Sequence, residues 1–129
     1  MVQKRILIAD DEKAFAEMLK LNLQATGEYE VRIENDPTQV LPAALQFQPD
    51  LILLDIIMPK VEGPDIAFKI KSHESLKKVP IIFLTAAVKK DEVDSEDGMI
   101  GGYPFVAKTS SLNVLIDTIE KAILSHPYR

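Results

Sequence analysis

Acidic residues follow two strongly apolar segments, and their placement is the clearest chemical signal in the chain. Leu51–Leu54 runs directly into Asp55, and Arg5–Ala9 runs into Asp10 and Asp11. Apolar runs of this length are typical of strands buried on both faces of a parallel sheet. Because the carboxyl ends of such strands form the ligand-binding rim of open α/β folds, these carboxylates should meet there. The sequence therefore predicts one acidic pocket suited to hard cations and phosphate.

Two further apolar segments end in side chains that could serve the same pocket. Ile81–Leu84 is followed by Thr85, and Phe105–Ala107 is followed by Lys108. Three carboxylates this close cannot all ionise without a compensating charge, which Lys108 or a divalent cation such as Mg²⁺ would supply. A carboxylate oxygen could then attack phosphorus, while the cation and Lys108 neutralise the transferred group and Thr85 donates to it.

The elements that must hold these residues alternate along the chain. The predicted strands are Arg5–Ala9, Tyr29–Glu34, Leu51–Leu54, Ile81–Leu84 and Phe105–Ala107. The predicted helices are Glu12–Thr26, a second from Asp36-Pro37, a third from about Pro64 to Leu76, and a last from about Ser110 to Leu124. This alternation predicts an α/β fold with a parallel sheet and helices on both faces.

Two places interrupt the regular pattern. Pro42 lies inside the second predicted helix, where a missing N–H should kink or shorten it. Val88–Gly102 is rich in charged residues and glycine, and we expect only a short helix there, at about Lys90–Asp97.

Length and composition restrict the class of protein. A chain of 129 residues predicts one domain, with a core at about residues 4–124 and a tail at 125–129. The absence of cysteine excludes disulfides and thiolate metal sites. The apolar run near the start is too short for a signal peptide or a membrane span, so we expect a cytoplasmic protein with no membrane partner. A net charge of −5 without a long basic cluster predicts no direct nucleic-acid binding.

Taken together in chain order, these motifs carry a family resemblance. Asp10-Asp11, the stretch from Asp55 to Pro59 with Gly63, Thr85-Ala86 and Lys108 resemble the receiver domain of two-component response regulators. The resemblance covers about residues 4–124. It implies a flavodoxin-like, doubly wound sheet of five parallel strands in the order 2-1-3-4-5.

The resemblance also implies the chemistry of the acidic residues. Asp55 would accept a phosphoryl group from a phosphohistidine on a histidine kinase or a histidine phosphotransfer protein. Mg²⁺, or Mn²⁺ in its place, would bind Asp10, Asp11, Asp55 and the backbone carbonyl of Ile57. The protein would be a signalling phosphoacceptor rather than an enzyme, with at most slow magnesium-dependent self-dephosphorylation.

The remaining implied roles concern the response to phosphorylation. Lys108 would bridge Asp55 and the phosphoryl group, and Thr85 would shift to contact a phosphoryl oxygen. Phe105 occupies the position of the family's aromatic switch and would move inward with Thr85. The resulting surface would be recognised by a downstream protein whose identity the sequence does not indicate.

The chain departs from the family pattern in ways that generate further expectations. Thr109 follows Lys108 where the family usually has proline, so the peptide should be trans or a strained cis bond. Phe105 lacks the hydroxyl of the commoner tyrosine, and Val88–Gly102 is atypical of the face that usually signals. Ile57 and Ala87 occupy positions that influence hydrolysis in the family; since both are apolar, a long-lived aspartyl phosphate is expected.

Three other functions compete with this interpretation. A degenerate receiver would serve only as a phosphorylation-independent docking module, and a receiver segment could belong to a hybrid histidine kinase. A phosphatase of the haloacid dehalogenase type generally has a second aspartate two residues after its nucleophile. Ile57 occupies that place, which disfavours the phosphatase.

Overall fold

A central six-stranded sheet organises the computed structural model, which describes residues 2–58, 61–86, 99–100 and 102–125. The strands are β1 (Lys4–Ala9), β2 (Tyr29–Glu34), β3 (Leu51–Asp55), β4 (Ile57–Met58), β5 (Val61–Glu62), β6 (Ile81–Thr85), β7 (Met99–Ile100) and β8 (Tyr103–Ala107). The helices are α1 (Lys13–Ala25), α2 (Val40–Phe47), α3 (Gly63–Lys71) and α4 (Leu112–Leu124), with a 3₁₀ turn at Pro37–Gln39.

The strand order confirms the predicted fold. The main sheet runs β2-β1-β3-β6-β8-β7, and its first five strands are parallel to one another. In the numbering of the five predicted strands this is the order 2-1-3-4-5. Two features were not predicted: β7 pairs antiparallel with β8, and β4 and β5 form a separate antiparallel pair.

Two hydrophobic layers bury the sheet on both faces, which explains why its strands are apolar throughout. On β1 and β3, Leu7 and Ile52 point toward the layer that contains α2 and α3. Their neighbours Ile8 and Leu53 point toward the layer that contains α1 and α4. Every residue of β3 is buried, so its side chains show no alternation between polar and apolar types.

The second helix begins later than predicted. Asp36 caps the 3₁₀ turn, accepting a hydrogen bond from the Thr38 N–H, and the α-helix starts only at Val40. Pro42 is therefore in the first turn of α2, where its missing N–H breaks no internal hydrogen bond. The predicted loss of a hydrogen bond inside the helix therefore does not occur, and the eight-residue helix starts two residues before Pro42.

The third helix ends at Lys71 rather than at the predicted Leu76. Residues 72–78 form successive turns, with Leu76 buried in the core. The Lys71 ammonium secures this segment by donating to the carbonyl of Val79 at 2.6 Å and to that of Lys77 at 3.2 Å. Leu76 therefore reaches the core from a turn and not from the helix.

Parts of two predictions fall outside the described residues. These are the short helix at about Lys90–Asp97, with most of the Val88–Gly102 segment, and residues 126–129 of the predicted tail. Within the described part of the chain, no helix is both long and apolar enough to cross a membrane.

Gly63 brings the start of α3 against the loop that follows Asp55. Its N–H donates to the Ile56 carbonyl at 2.8 Å. A Cβ at this position would lie 2.6 Å from the Asp55 carbonyl oxygen and 2.8 Å from the Ile56 Cα. Because both neighbours are backbone atoms, they cannot move aside as a flexible side chain would.

We expect Gly63→Ala to lower the free energy of unfolding by about 3 kcal/mol, since an added methyl must displace the backbone beside Asp55. Gly27→Ala is the matched control: Gly27 has a φ of 80°, but a methyl added there would meet no neighbour within 4 Å. That variant should lose about 1 kcal/mol, from backbone conformation alone. Chemical denaturation measures both, and equal losses would contradict the proposed clash.

Candidate functional site

The ends of the parallel strands bring the predicted site residues to one edge of the sheet. Ala9 pairs with Leu54, so Asp10 and Asp55 follow neighbouring positions of β1 and β3. Asp55 pairs with Leu84, which places Thr85 next along the same edge at the end of β6. The sheet register thus generates the constellation that the sequence predicted.

Lys108 enters the site from the end of the fifth parallel strand. Its N–H donates to the Thr85 carbonyl at 2.8 Å, which continues the pairing between β6 and β8 by one residue. No peptide bond among the described residues is cis, so the Lys108–Thr109 peptide is trans. A trans bond before Thr109 is therefore compatible with a lysine directed into the pocket.

Three carboxylates converge in this pocket. Asp10, Asp11 and Asp55 each offer an oxygen atom within 4.8 Å of those of the other two. Asp10 is completely buried and Asp55 is 5% exposed, whereas Asp11 is half-buried. The predicted acidic pocket is present, with its charge concentrated below the surface.

The Lys108 ammonium lies among these carboxylates and offsets part of their charge. Its Nζ is 2.7 Å from Asp10 Oδ2 and 3.5 Å from Asp55 Oδ2. It also forms an ion pair with Glu12 Oε1, which is its closest carboxylate contact, and lies 4.8 Å from the centre of the Phe15 ring. The Lys108 side chain is only 7% exposed, so water screens these contacts weakly.

Glu12 and Phe15 are site residues that the sequence analysis missed. Glu12 directly follows Asp10-Asp11, which is a positional signal, but it is also the first residue of a predicted helix, where an acidic side chain is commonly favoured by the helix dipole alone. Phe15 lies about one turn further along the chain, in the first turn of α1, and packs half-buried against the layer of α1 and α4. Only the fold shows that α1 starts beside the end of β8.

Hydrogen bonds fix Asp10 at the centre of the pocket. Its Oδ1 accepts from the Glu12 N–H at 2.9 Å, and its carbonyl oxygen accepts from Asn35 Nδ2 at 2.7 Å. Its Oδ2 is buried and lies 2.7 Å from the Lys108 ammonium. Carboxylate oxygens from three residues within 4.8 Å of one another, which Lys108 neutralises only in part, fit a hard divalent cation with oxygen ligands.

The charge in the pocket shifts the pKa values of its two central groups. Burial, followed by the charge of Asp10, raises the pKa of Asp55 to about 6, although Lys108 and the Ile57 N–H favour its ionised form. Burial lowers the pKa of Lys108, but its contacts with the Asp10 and Glu12 carboxylates outweigh this and raise the pKa to about 12. At neutral pH the pocket therefore holds a charged lysine beside a carboxylate that is costly to ionise.

The other residues with predicted roles surround the pocket. The Ile57 N–H donates to Asp55 Oδ1 at 3.3 Å, while its side chain is 75% exposed. Thr85 is buried at the end of β6. Phe105 pairs with Phe83 across the sheet and packs, half-buried, against the layer of α2 and α3. Ala87 and Pro59 lie outside the described residues.

Comparisons with known proteins agree with this architecture. MtrA, a DNA-binding response regulator of Mycobacterium tuberculosis, is 37% identical over 101 residues, which are 78% of this chain and 42% of that protein. The chain thus spans less than half the length of this relative. DNA binding is a property of the relative, and our expectation of no direct nucleic-acid binding applies to these 129 residues alone.

Solved structures show the same fold over nearly the whole chain. A response regulator from Chloroflexus aurantiacus superimposes with a TM-score of 0.82 at 26% identity, covering 95% of this chain and 99% of that one. The signal receiver domain of a DNA-binding response regulator from Colwellia psychrerythraea gives a TM-score of 0.78, also at 26% identity and the same coverage. The family model of the response regulator receiver domain matches residues 6–120, and the chain belongs to that family.

Proposed function

We propose that Asp55 accepts a phosphoryl group from a phosphohistidine on a histidine kinase or histidine phosphotransfer protein. The observation that carries this proposal is the position of its buried carboxylate, which lies within 4.8 Å of carboxylate oxygens of Asp10 and Asp11 and 3.5 Å from Lys108 Nζ. The protein would act as a signalling phosphoacceptor in a two-component system, with at most slow self-dephosphorylation.

The proposed transfer requires a nucleophile and a compensated charge. An Asp55 oxygen attacks phosphorus, the phosphorus–nitrogen bond breaks, and its electron pair returns to the donor's imidazole, which is released protonated at neutral pH. Lys108, 3.5 Å from Asp55 in the resting protein, would neutralise oxygens of the acyl phosphate. Burial of Asp55 supports this role, because a poorly solvated carboxylate is the more reactive nucleophile.

A bound cation completes the proposed site. Asp10, Asp11, Asp55 and the backbone carbonyl of Ile57 would hold Mg²⁺, or Mn²⁺ in its place, and the clustering of the three carboxylates is the structural argument for it. When bound, the cation supplies positive charge that offsets the carboxylates and the phosphoryl oxygens.

We propose that Thr85 and Phe105 transmit the phosphorylated state to a protein partner. Thr85 ends β6 beside Asp55, and Phe105 lies on the adjoining strand, so a shift of the first can reach the second through β6 and β8. Phe105 is only half-buried, so an inward shift would bury more of its ring.

Acetyl phosphate with Mg²⁺ should add one phosphoryl group to the protein, as measured by intact mass. Asp55→Asn should abolish the gain, because an amide cannot form the acyl phosphate. Asp65→Asn, which removes an exposed carboxylate at the start of α3, should leave it unchanged. A folded, metal-binding protein without a mass gain would contradict the proposal and favour the docking-module interpretation.

Ionisation of Asp55 should make the metal-free protein less stable. Its folded-state pKa of about 6 exceeds the ordinary 3.8, so the cost is absent below the lower value and complete above the higher one. We expect Asp55→Asn to stabilise the metal-free protein by about 1–3 kcal/mol near pH 7.5 and hardly at all near pH 4. Thermal unfolding across this range measures the difference.

Mg²⁺ provides the control for that measurement. Because protons and metal compete for the same oxygens, Mg²⁺ should raise the Tm of the wild-type protein more near pH 7.5 than near pH 5 (about 2.5 pH units lower). It should have little effect on Asp55→Asn at either pH. A pH-independent advantage of Asp55→Asn would show that relief of charge is not its cause.

The aspartyl phosphate should be long-lived because the exposed Ile57 side chain beside it cannot orient an attacking water. Ile57→Asn introduces a polar group at this position and should accelerate dephosphorylation several-fold. Ile57→Met keeps the position apolar and should leave the half-life near that of the wild type. Loss of the phosphoryl group over time, followed by intact mass, tests this, and equal half-lives for Asn and Met would contradict it.

A further inference from the structure

The Lys108 ammonium contacts Asp55 less closely than its other carboxylate partners. It lies 3.5 Å from Asp55 Oδ2, about 0.6 Å beyond the usual length of a charged hydrogen bond, but 2.7 Å from Asp10 and closer still to Glu12. Lys108, which should neutralise the phosphoryl group, is therefore held mainly by Asp10 and Glu12 in the resting protein.

Glu12 differs from the other carboxylates around Lys108 in its exposure. Its side chain is 58% exposed, whereas those of Asp10 and Asp55 are 0% and 7% exposed. Water can replace the ammonium at Glu12 at little cost, since an exposed carboxylate remains solvated when its ion pair breaks. Of these three partners, Glu12 is the one that can release Lys108 most easily.

The backbone holds Glu12 at the correct position for this contact. Its N–H donates to Asp10 Oδ1 at 2.9 Å, which ties the start of α1 to the pocket. Glu12 is also the N-cap residue of α1, yet its side chain makes no capping hydrogen bond. The carboxylate is instead directed across the pocket to Lys108.

We propose that Glu12 is a positioning residue that holds the Lys108 ammonium in the resting state and competes for it with the phosphoryl group on Asp55. This inference rests on the proposed function. When Asp55 carries a phosphoryl group, its new oxygens attract Nζ, and the contact with Glu12 lengthens or breaks. Glu12 thereby lowers the affinity of the pocket for a phosphoryl group.

Beryllofluoride, which mimics a phosphoryl group on an aspartate, tests this competition in saturating Mg²⁺. Glu12→Gln should bind beryllofluoride about 3–10-fold more tightly than the wild type, because loss of a partly exposed charged contact is worth about 1 kcal/mol. Glu12→Asp should behave similarly, since its shorter side chain keeps the charge but does not reach Lys108. Glu17→Gln, which makes the same charge change elsewhere on α1, should bind like the wild type.

A double-mutant cycle separates the contact from a general effect of charge. In a Lys108→Met background, Glu12→Gln should no longer change the affinity for beryllofluoride, because no ammonium remains to be released. Thermal unfolding should be measured on the metal-free wild type, the single variants Glu12→Gln and Lys108→Met, and the double variant. The shifts in Tm of the two single variants should not add up to that of the double variant. If Lys108→Met does not fold, the affinities of Glu12→Gln and Glu12→Asp for beryllofluoride test the proposal without the cycle.

The results distinguish failure of the role of Glu12 from failure of the proposed function. Unchanged affinity in Glu12→Gln, tighter binding that persists in Lys108→Met, or a wild-type affinity in Glu12→Asp would each overturn the role of Glu12 while leaving phosphoryl transfer intact. A wild-type protein that neither binds beryllofluoride nor gains a phosphoryl group would overturn both.

Discussion

Mutual repulsion among the carboxylates at the ends of β1 and β3 is the constraint on which the rest of the site depends. At an effective dielectric constant of about 20, two charges roughly 5 Å apart repel by about 3 kcal/mol, a large part of the 5–15 kcal/mol that stabilises a domain. The buried ammonium of Lys108 offsets part of this repulsion, and the raised pKa of Asp55 reflects what remains of it together with burial. A divalent cation and a transferred phosphoryl group would act on the same balance of charge.

The parallel sheet makes this concentration of charge possible. Its hydrophobic layers bury β1 and β3 on both faces, so side chains just past the strand ends are close together and poorly solvated. Gly63 extends the arrangement by letting the start of α3 pack directly on the backbone at Asp55 and Ile56. The same strands therefore form the hydrophobic core and bring the repelling carboxylates together. A substitution that disturbs the packing of these strands should also change the spacing of the carboxylates.

The sequence predicted the strands and their polar ends well, because a strand buried on both faces leaves an uninterrupted apolar run. The sequence did not predict features of the structure that depend on contacts between residues distant along the chain. The end of α3 depends on Lys71 bonding to carbonyls beyond it, and β7 depends on pairing with β8. Glu12 escaped notice for the same reason: its role is defined by Lys108, 96 residues away, and no local pattern records that pairing.

These contacts also bear on how such a pocket could act as a switch. A lysine held only by buried carboxylates would be costly to move, since each lost contact would leave an unsolvated charge. Glu12 changes this, because one of the closest contacts of Lys108 is made at the surface, where water can take its place. The ammonium can then shift toward new negative charge on Asp55 without exposing a buried carboxylate. An exposed partner for a buried cation thus makes a strongly charged pocket responsive rather than rigid.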